Sequence, residues 1–345
     1  GEDDATVEPR WGKVGKQKIE DTGPLTIERM KTFDDESLEN STKFMKNAHD
    51  AGKPWFVWHN TSRIHSFTHL RPKYEAMVPE KGFVGAAMTE FDDSVGALVA
   101  KVEELGVSDN TIIIVTTDNG AMKLSWPDGG TSPFRNEKAT TWDGGFRIPC
   151  VIKWPGVVKP GRIINDIMHH MDWIPTIMSA LGEPDLTEKL KKGHKAGKEG
   201  KTYKVHLDGY DHLPLLKGEA PGVRKEIHYI TDDGDYSALR YGKWKVMFTQ
   251  QNSTGFDVWG RDYQNWRAPR LTNLHADPYE QASAKGATWG YEEWAFRRTY
   301  MLLPAGGIVT NLIKTFDEFP PRSKAASFSI GDALKSIEAG HPGGH

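Results

Sequence analysis

The chain has 345 residues, of which 37% are hydrophobic and 26% are charged, with a formal net charge of −3 and a sequence pI near 6.5. This balance is typical of a folded protein with one large or two ordinary domains, and it excludes the overall basic field of a nucleic-acid-binding protein. No apolar run reaches the roughly 18 residues of a membrane span, and the single cysteine, Cys150, excludes an intramolecular disulfide.

The first part of the sequence predicts helices that alternate with strands, which is the pattern of an α/β layer. In chain order, the predicted elements are a polar extended lead-in over 1–30, a helix over 35–53, a short aromatic strand over 54–60, a long amphipathic helix over 85–107, a strand over 111–117, a strand over 146–156 and a helix over 171–182. The continuous apolar run at 111–117 predicts a strand that is covered on both faces, as in a parallel sheet. Cys150 lies among strand-forming apolar residues, so we expect a buried, unreactive thiol.

The pattern changes near residue 220. Short segments with Gly and Asp turns follow and predict antiparallel strands, and a helix is predicted near 304–318. The chain therefore predicts an α/β domain over 1–220 and a smaller subdomain over 221–345 that is built on an antiparallel sheet.

The strand at 111–117 ends in polar residues that suggest a metal site. Asp118 and Asn119 follow it directly, and Gly120 permits a sharp turn. Ligands in open α/β sheets bind beyond the carboxyl ends of strands. Carboxylate and amide oxygens suit Ca²⁺ or Mg²⁺, although Asp-Asn-Gly is also a common turn sequence.

A lysine follows in the loop between this strand tip and the next strand. Lys138 stands in a Gly- and Thr-rich stretch, where an ammonium group can bind an anion. A solvated surface lysine is the alternative interpretation. Two tryptophans, Trp126 and Trp142, flank this region, and core packing is the preferred interpretation of both.

Several long motifs in fixed order resemble one family. TTDNG (116–120), PFRNEK (133–138), WDGGFRIPCVIKWPG (142–156) and IMHHMDWIPTIMSALGEP (167–184) are similar to sulfatases of the arylsulfatase family, within the alkaline-phosphatase-like superfamily. The resemblance continues through LDGYDHLPLLKGEAP, ALRYGKWKVMF and LTNLHADP, and 316–334 resembles the C-terminal end of bacterial members. It implies an α/β fold with a mixed sheet flanked by helices and a smaller C-terminal α+β domain on an antiparallel sheet.

The resemblance also implies an activity and the residues that perform it. The family hydrolyses sulfate monoesters with a divalent metal, usually Ca²⁺, with Mg²⁺ as the alternative. By position, Asp118 and Asn119 match the metal ligands, and Lys138 matches the sulfate-binding lysine. His65 stands nine residues before Tyr74, as does the family histidine that contacts the sulfate and assists the leaving oxygen.

His170 and Asp172 fall in another recurring segment of the family. We interpret both as structural or outer-shell residues, and we expect Asp172 to cap the helix that follows.

The sequence departs from the family pattern at the nucleophile. The family oxidises a cysteine in a Cys-X-Pro-Ser-Arg type motif to formylglycine, whereas Cys150 is followed by Val-Ile-Lys. We therefore expect the formylglycine in a missing N-terminal segment, so that this chain carries only part of the active site. Smaller departures are Asn136 and Ala139, where many relatives have glycine, and Asp143, which replaces a common glutamate.

Two alternative functions stay open at this stage. A phosphonate monoester hydrolase or phosphodiesterase of the same superfamily uses similar groups, and a catalytically inactive binding or structural fragment is the other reading. The expected partner is a small-molecule sulfate ester, with no nucleic acid and no membrane span. Apolar sheet surface left by missing strands would favour association with the N-terminal segment or self-association. The resemblance implies a periplasmic or secreted protein.

Overall fold

The computed structural model describes residues 2–8, 12–17, 21–130, 132–195, 200, 202–285 and 290–320. Within these ranges the strands are β1 (Glu2–Glu8), β2 (Gly12–Gln17), β3 (Ile113–Thr116), β4 (Cys150–Lys153), β5 (His194–Lys195), β6 (Thr202–Tyr203), β7 (Glu226–Ile230), β8 (Tyr236–Tyr241), β9 (Trp244–Gln250) and β10 (Gln264–Asn273). The α-helices are α1 (Ile27–Asp50), α2 (Pro72–Glu75), α3 (Val78–Glu104), α4 (Asp143–Phe146), α5 (Trp173–Ala180), α6 (Leu186–Lys192), α7 (Leu213–Lys217), α8 (Asp257–Gly260), α9 (Gln281–Lys285), α10 (Tyr291–Phe296) and α11 (Leu302–Glu318). None of these helices is both long and apolar enough to cross a membrane.

Most predicted helices are confirmed with shifted boundaries. The predicted helix at 35–53 is α1, which begins earlier because the Thr26 hydroxyl accepts a hydrogen bond from Arg29 N at 3.2 Å and caps the first turn. The predicted lead-in over 1–30 is therefore wrong from residue 27 on, and β1 pairs antiparallel with β2 within it.

The strand that precedes the proposed site lies in a two-stranded ribbon. β3 pairs antiparallel with β4, from Ile113 opposite Lys153 to Thr116 opposite Cys150. The expectation of a parallel neighbour is wrong for this pair, because an apolar run reports burial and not the direction of the adjacent strand. The expectation of a buried Cys150 is also wrong: the thiol is exposed, since no described element covers that part of β4, where Val151 is 69% exposed.

The predicted strand over 54–60 is not formed within the described part of the chain. Its side chains alternate between exposed and half-buried positions, as they would in a strand, but no neighbouring strand pairs with it. A period of two thus indicated the direction of the side chains and not a hydrogen-bonded ladder. Phe56 and Trp58 lie on the exposed face.

The C-terminal part confirms the predicted antiparallel sheet. Four strands are ordered β10-β9-β8-β7, and every neighbouring pair is antiparallel. One face of this sheet packs on α11 through Leu239, Val246, Leu271 and Ala305. The other face buries Trp142, which contacts Tyr229 and Met247. The loop that carries Lys138 is therefore seated on the C-terminal sheet. The combination of helices, the β3–β4 ribbon and this sheet agrees with the predicted α/β class.

Candidate active site

The tip of β3 is fixed by backbone contacts on two sides. His170 Nε2 lies 2.9 Å from Thr117 O, and because a carbonyl oxygen only accepts, Nε2 is the protonated nitrogen. On the other side, Gly120 N donates to Gly145 O at 2.9 Å. A Cβ on Gly120 would lie 1.8 Å from Gly144 O, so only glycine fits this approach. The turn sequence therefore has a structural requirement that is independent of any ligand.

Asp118 and Asn119 stand at this tip. The Asp118 side chain is exposed, and Thr117 Oγ1 lies 3.4 Å from its Oδ1. Asn119 donates its amide N–H to Gly120 O at 2.9 Å, which leaves Asn119 Oδ1 as the acceptor of that side chain. The two residues thus present oxygens of the type that Ca²⁺ and Mg²⁺ prefer.

The number of oxygens is smaller than a complete site needs. Ca²⁺ takes roughly six to eight oxygen ligands, and no group of three or more His, Cys, Asp or Glu side chains that could hold a metal occurs among the described residues. The donor chemistry fits a divalent ion, and the donors present would fill part of its coordination.

Lys138 is attached to the same strand tip through its backbone. Its N–H donates to Ala121 O at 3.1 Å, two positions after Asn119. The residues around it adopt the left-handed backbone that glycine favours, with φ of 60° at Asn136 and 63° at Ala139. The loop therefore has left-handed bends at the two positions where the sequence resemblance leads us to expect glycine. At Asn136 the side chain contributes to this conformation by donating to Gln251 O and Ser253 O.

Glu137 fastens the Lys138 loop to its surroundings. Its buried carboxylate accepts hydrogen bonds from Lys123 N at 2.6 Å and from Gly255 N at 2.8 Å. Charge-assisted hydrogen bonds of this kind are among the stronger ones in proteins. The backbone on one side of Lys138 is consequently tied to the β3 tip and, through Gly255, to the segment before α8.

A buried charge cluster supports the other end of the loop. Lys245 Nζ lies 3.2 Å from Asp143 Oδ1 and 2.8 Å from Glu280 Oε1, and Asp143 N donates to Glu280 Oε2 at 2.7 Å. Burial opposes the charge of Lys245, but Glu280, Tyr229 and Asp143 outweigh it and hold the Lys245 pKa above its ordinary value. Burial raises the pKa of Glu280, although Lys245 opposes that shift. Asp143, where the sequence resemblance leads us to expect glutamate, therefore anchors this end of the loop.

His65 lies in a separate loop with an unusual backbone. The imidazole is exposed, and its Nδ1 lies 2.9 Å from Ser66 O, so Nδ1 carries a proton and Nε2 is free to face a ligand. Ile64 and Phe67 have φ of 65° and 64°. A β-branched residue in this region is a genuine outlier, and such strain persists where the surroundings enforce it.

Buried ion pairs supply that enforcement. Arg63 is 3% exposed and pairs with Glu90 at 2.8 Å. Asp34 accepts hydrogen bonds from the backbone N–H groups of Ser62 and Arg63. The start of the His65 loop is thus held from α1 and α3.

An aromatic contact joins the His65 loop to the Lys138 loop. The rings of Phe67 and Phe256 stack with centroids 6.4 Å apart, and Phe256 follows Gly255, which Glu137 binds. The structure therefore brings Lys138 to the Asp118–Asn119 turn by a direct hydrogen bond and relates His65 to both through this indirect chain. No hydrogen bond or ion pair joins the side chains of His65, Asp118, Asn119 and Lys138 to one another in the described part of the chain, so their assigned roles stay predictions.

Asp172 is a structural residue, as expected, but it completes a capping box of the 3₁₀ turn at His170–Asp172 and not the cap of α5. Its side chain does not cap α5; it accepts from Arg224 Nη2 at 2.6 Å and from His169 N and Tyr210 N at 2.8 Å. Burial disfavours the charged carboxylate, but His212, whose Nε2 lies at 3.3 Å, together with Arg224 and the backbone donors, lowers the Asp172 pKa below its ordinary value. This network orients the His169–His170 turn against the β3 tip.

Sequence reasoning missed the residues that position the site. Glu137, Arg224, Lys245 and Glu280 are buried charged residues whose partners are distant in sequence: Glu280 and Asp143 are 137 positions apart. No local pattern signals such a pairing. A charged residue within an otherwise apolar strand, as Lys245 is in β9, was the one available hint, because lysine is rarely buried without a partner.

The chain is similar to known sulfatases. A sequence model of the family described as Sulfatase matches residues 8–183, about half of the chain. Human arylsulfatase A is 27% identical over 258 residues, 71% of this chain and 47% of that protein. Rat N-acetylgalactosamine-6-sulfatase is 32% identical over 284 residues, 77% of this chain and 50% of that protein.

Solved structures show the same relationship. The crystal structure of the PsFucS1 sulfatase from Pseudoalteromonas sp. superposes with a TM-score of 0.70 at 30% identity, covering 90% of this chain and 59% of that one. A structure of Ps i-CgsB in complex with a neocarrahexaose superposes with a TM-score of 0.62 at 18% identity, over 90% of this chain and 60% of that one, and shows likeness of fold. The chain thus spans about half the length of the human and rat sulfatases, and 59% and 60% of the two solved structures.

Proposed function

The chain belongs to the sulfatase family, and we propose that it supplies part of the active site of a sulfuric ester hydrolase that acts on a sulfate monoester. The observation that carries the proposal is the hydrogen bond from Lys138 N to Ala121 O. It holds the expected sulfate-binding lysine beside the strand tip that carries Asp118 and Asn119.

In this proposal each residue controls charge on the ester. Asp118 and Asn119 would contribute oxygens to a site for Ca²⁺, with Mg²⁺ as the alternative, and the bound ion would act as a Lewis acid towards the sulfuryl oxygens. The Lys138 ammonium stabilises negative charge on those oxygens without the planar geometry that a guanidinium requires. His65 donates a proton to the departing oxygen from Nε2 in its imidazolium form.

The nucleophile is expected from outside this 345-residue sequence. Cys150 is exposed at the start of β4, but the Pro-Ser-Arg pattern does not follow it. Because this sequence contains no other cysteine, it offers no residue that could be oxidised to the formylglycine expected from the family resemblance. We therefore propose that the isolated chain hydrolyses sulfate esters little or not at all. By the same resemblance, we propose a periplasmic or secreted location.

The test compares the isolated chain with a longer protein. The 345-residue chain alone should not hydrolyse 4-nitrophenyl sulfate above background, whereas a protein in which a Cys-X-Pro-Ser-Arg segment precedes it should. In the longer protein, His65→Asn should lower kcat by about 10²–10⁴-fold, the usual contribution of one proton donor, and Lys138→Met should also lower kcat/KM strongly. His49→Asn in α1 and Lys159→Met on the surface are matched controls that should retain activity.

Two results would contradict the proposal. Robust turnover by the isolated chain would show that the nucleophile lies within these 345 residues. Higher kcat/KM for a phosphonate monoester or a phosphodiester than for the sulfate ester would identify the other superfamily activity.

A further inference from the structure

One connection of the C-terminal sheet reaches the loop that carries Lys138. The chain leaves β9 at Gln250 and rejoins the sheet in β10 at Gln264, and these two residues stand opposite each other. The segment between them, 251–263, includes α8 and is here called the strap. The strap is therefore an excursion whose two ends are fixed by the sheet.

The strap binds the residues on the N-terminal side of the lysine. Asn136 Nδ2 donates to two carbonyl oxygens of the strap at 3.0 and 3.1 Å, and the Glu137 carboxylate accepts from Gly255 N at 2.8 Å. The strap is also tied internally, because the buried Gln251 donates from Nε2 to Arg261 O at 2.7 Å. This side of the loop is therefore held by a segment whose own conformation is supported.

The strap also binds Trp142, the indole that follows the loop in sequence. Trp142 Nε1 donates to Gln251 O at 2.6 Å, and the residue is 0% exposed, so the preferred interpretation of core packing holds for Trp142. The same interpretation is wrong for Trp126, which is 74% exposed because it stands at the end of the short 3₁₀ turn Lys123–Ser125 on the surface.

A further contact of the strap lies on the other side of Lys138. The Tyr263 hydroxyl donates to Ala139 O at 3.0 Å. Burial, together with the nearby Asp232 and Asp233 carboxylates, raises the pKa of Tyr263, so the hydroxyl keeps the proton that it donates. Since Tyr263 is the last residue of the strap, one segment binds the backbone on both sides of Lys138.

The Tyr263 hydrogen bond falls on a strained position of the loop. Thr140 N donates to Glu137 O at 3.2 Å and closes a β-turn. Lys138 and Ala139 are its central residues, and Ala139 has φ of 63°, which an alanine adopts only at a cost. Turns of this length also form with a negative φ at the same position. Because the direction of the Ala139 carbonyl depends on the backbone angles there, the Tyr263 hydroxyl favours the strained form.

The Lys138 ammonium depends on this backbone for its position. Within the described ranges, no hydrogen bond or ion pair holds its Nζ, and a long side chain without a partner of its own is placed by the backbone that carries it. We propose that the strap positions Lys138 for the sulfate ester and that Tyr263 is the positioning residue through which it does so. The inference rests on the proposed function and adds to it a residue that acts through Ala139.

The first test follows the loop in the 345-residue chain and needs no turnover. The N–H groups of Lys138 and Thr140 both donate to backbone carbonyls, so their hydrogen exchange, measured by NMR, reports how often the loop opens. Tyr263→Phe removes only the hydroxyl and should speed both exchange rates about three- to tenfold, the effect of one net hydrogen bond. Tyr291→Phe is the matched control: it removes another hydroxyl that donates to a backbone carbonyl at 3.0 Å, and it should leave both rates unchanged.

The second test measures the consequence for the substrate in the longer protein. Because the Lys138 ammonium binds the sulfate group before and during the reaction, Tyr263→Phe should raise KM for 4-nitrophenyl sulfate about three- to tenfold and leave kcat nearly unchanged. Ala139→Gly should rescue this loss, since glycine adopts a positive φ without strain. KM of Tyr263→Phe/Ala139→Gly should lie within about twofold of KM of Ala139→Gly alone. Tyr291→Phe should lower the melting temperature and leave KM unchanged.

An unchanged KM for Tyr263→Phe in an active longer protein would overturn the role of Tyr263 and leave the sulfatase proposal standing, even if the exchange is faster. The same conclusion follows if KM rises equally with and without Ala139→Gly. Conversely, if the longer protein hydrolyses no sulfate ester while Tyr263→Phe still speeds the exchange in the loop, the hydrolase proposal fails and the hold of the strap on the Lys138 turn is retained.

Discussion

Replacement of Lys245 with Met should destabilise the protein more than any exposed substitution. Lys245 is the cation between Asp143 and Glu280, at 3.2 Å and 2.8 Å from their oxygens, and all three side chains are buried. At an effective dielectric constant of about 20, the shorter contact alone has a gross attraction of about 6 kcal/mol. Much of this offsets the loss of hydration, and removal of one partner from a buried ion pair costs about 3–5 kcal/mol.

The assay is thermal and urea unfolding of the Lys245→Met variant. At about 2–4 °C per kcal/mol for a large domain, the melting temperature should fall by at least about 6 °C. Lys243→Met is the control, because Lys243 is exposed in the turn between β8 and β9, two residues before Lys245, and its replacement should change stability by no more than about 0.5 kcal/mol.

The loss should also depend on pH. Burial already raises the pKa of Glu280 against the opposition of Lys245, so removal of Lys245 raises it further. A carboxyl with a higher pKa in the folded state loses stability as the pH rises from its unfolded value of about 4.3 through its folded value. Lowering the pH from 7 to 5 should therefore return part of the loss, and Lys245→Met/Glu280→Gln should recover part of it at pH 7. A loss below about 1 kcal/mol, or one that is equal at both pH values, would refute this account.

Three further predictions concern the site and its supports. Arg224→Met should cost about 3–5 kcal/mol at pH 7, because it leaves the buried Asp172 carboxylate without its guanidinium. The Asp172 pKa is lowered in the folded protein, so this stabilisation is fully present above the unfolded pKa of about 3.9 and is lost progressively as the pH falls from there towards the lower folded pKa. The difference between the urea midpoints of variant and wild type should therefore shrink as the pH falls from about 4 to about 3 without vanishing. Ala139→Gly should raise stability by up to about 1 kcal/mol, since Ala139 has φ of 63°; a decrease in the urea midpoint would contradict this. Calorimetry with Ca²⁺ should show weak binding to the isolated chain that Asp118→Asn abolishes, and micromolar affinity would contradict a partial site.

The helices and strands that the sequence predicted correctly are those with a strongly periodic hydrophobic pattern. The helices α1, α3, α5 and α11 and the C-terminal antiparallel strands were anticipated because an amphipathic or alternating pattern is local information. The direction of the strand opposite β3 and the exposure of Cys150 were not, because both depend on which element lies alongside. The segment 54–60 has a strand's alternation without a strand's partner.

The residues at the end of β3 and the lysine of the candidate site were predictable from the sequence, and the buried charged residues that hold them in place were not. Asp118, Asn119, Gly120 and Lys138 lie within 21 positions of one another, so motif spacing relates them. The anchors Glu137, Arg224, Lys245 and Glu280 act over distances in sequence that no motif spans. Asp172 illustrates the difference: its position before α5 suggested a cap, whereas the tertiary partner Arg224 determines its role.

The bends at Asn136 and Ala139 bear on how distant relatives of this loop are found. A sequence profile that requires glycine on both sides of the lysine would reject this chain. Here an asparagine whose side chain donates to backbone carbonyls, and an alanine, adopt the same positive φ. Scoring those positions by the dihedral they must adopt, with asparagine admitted alongside glycine, would retain such chains. This chain makes both left-handed bends without glycine, so a search built on glycine alone would miss loops of this kind.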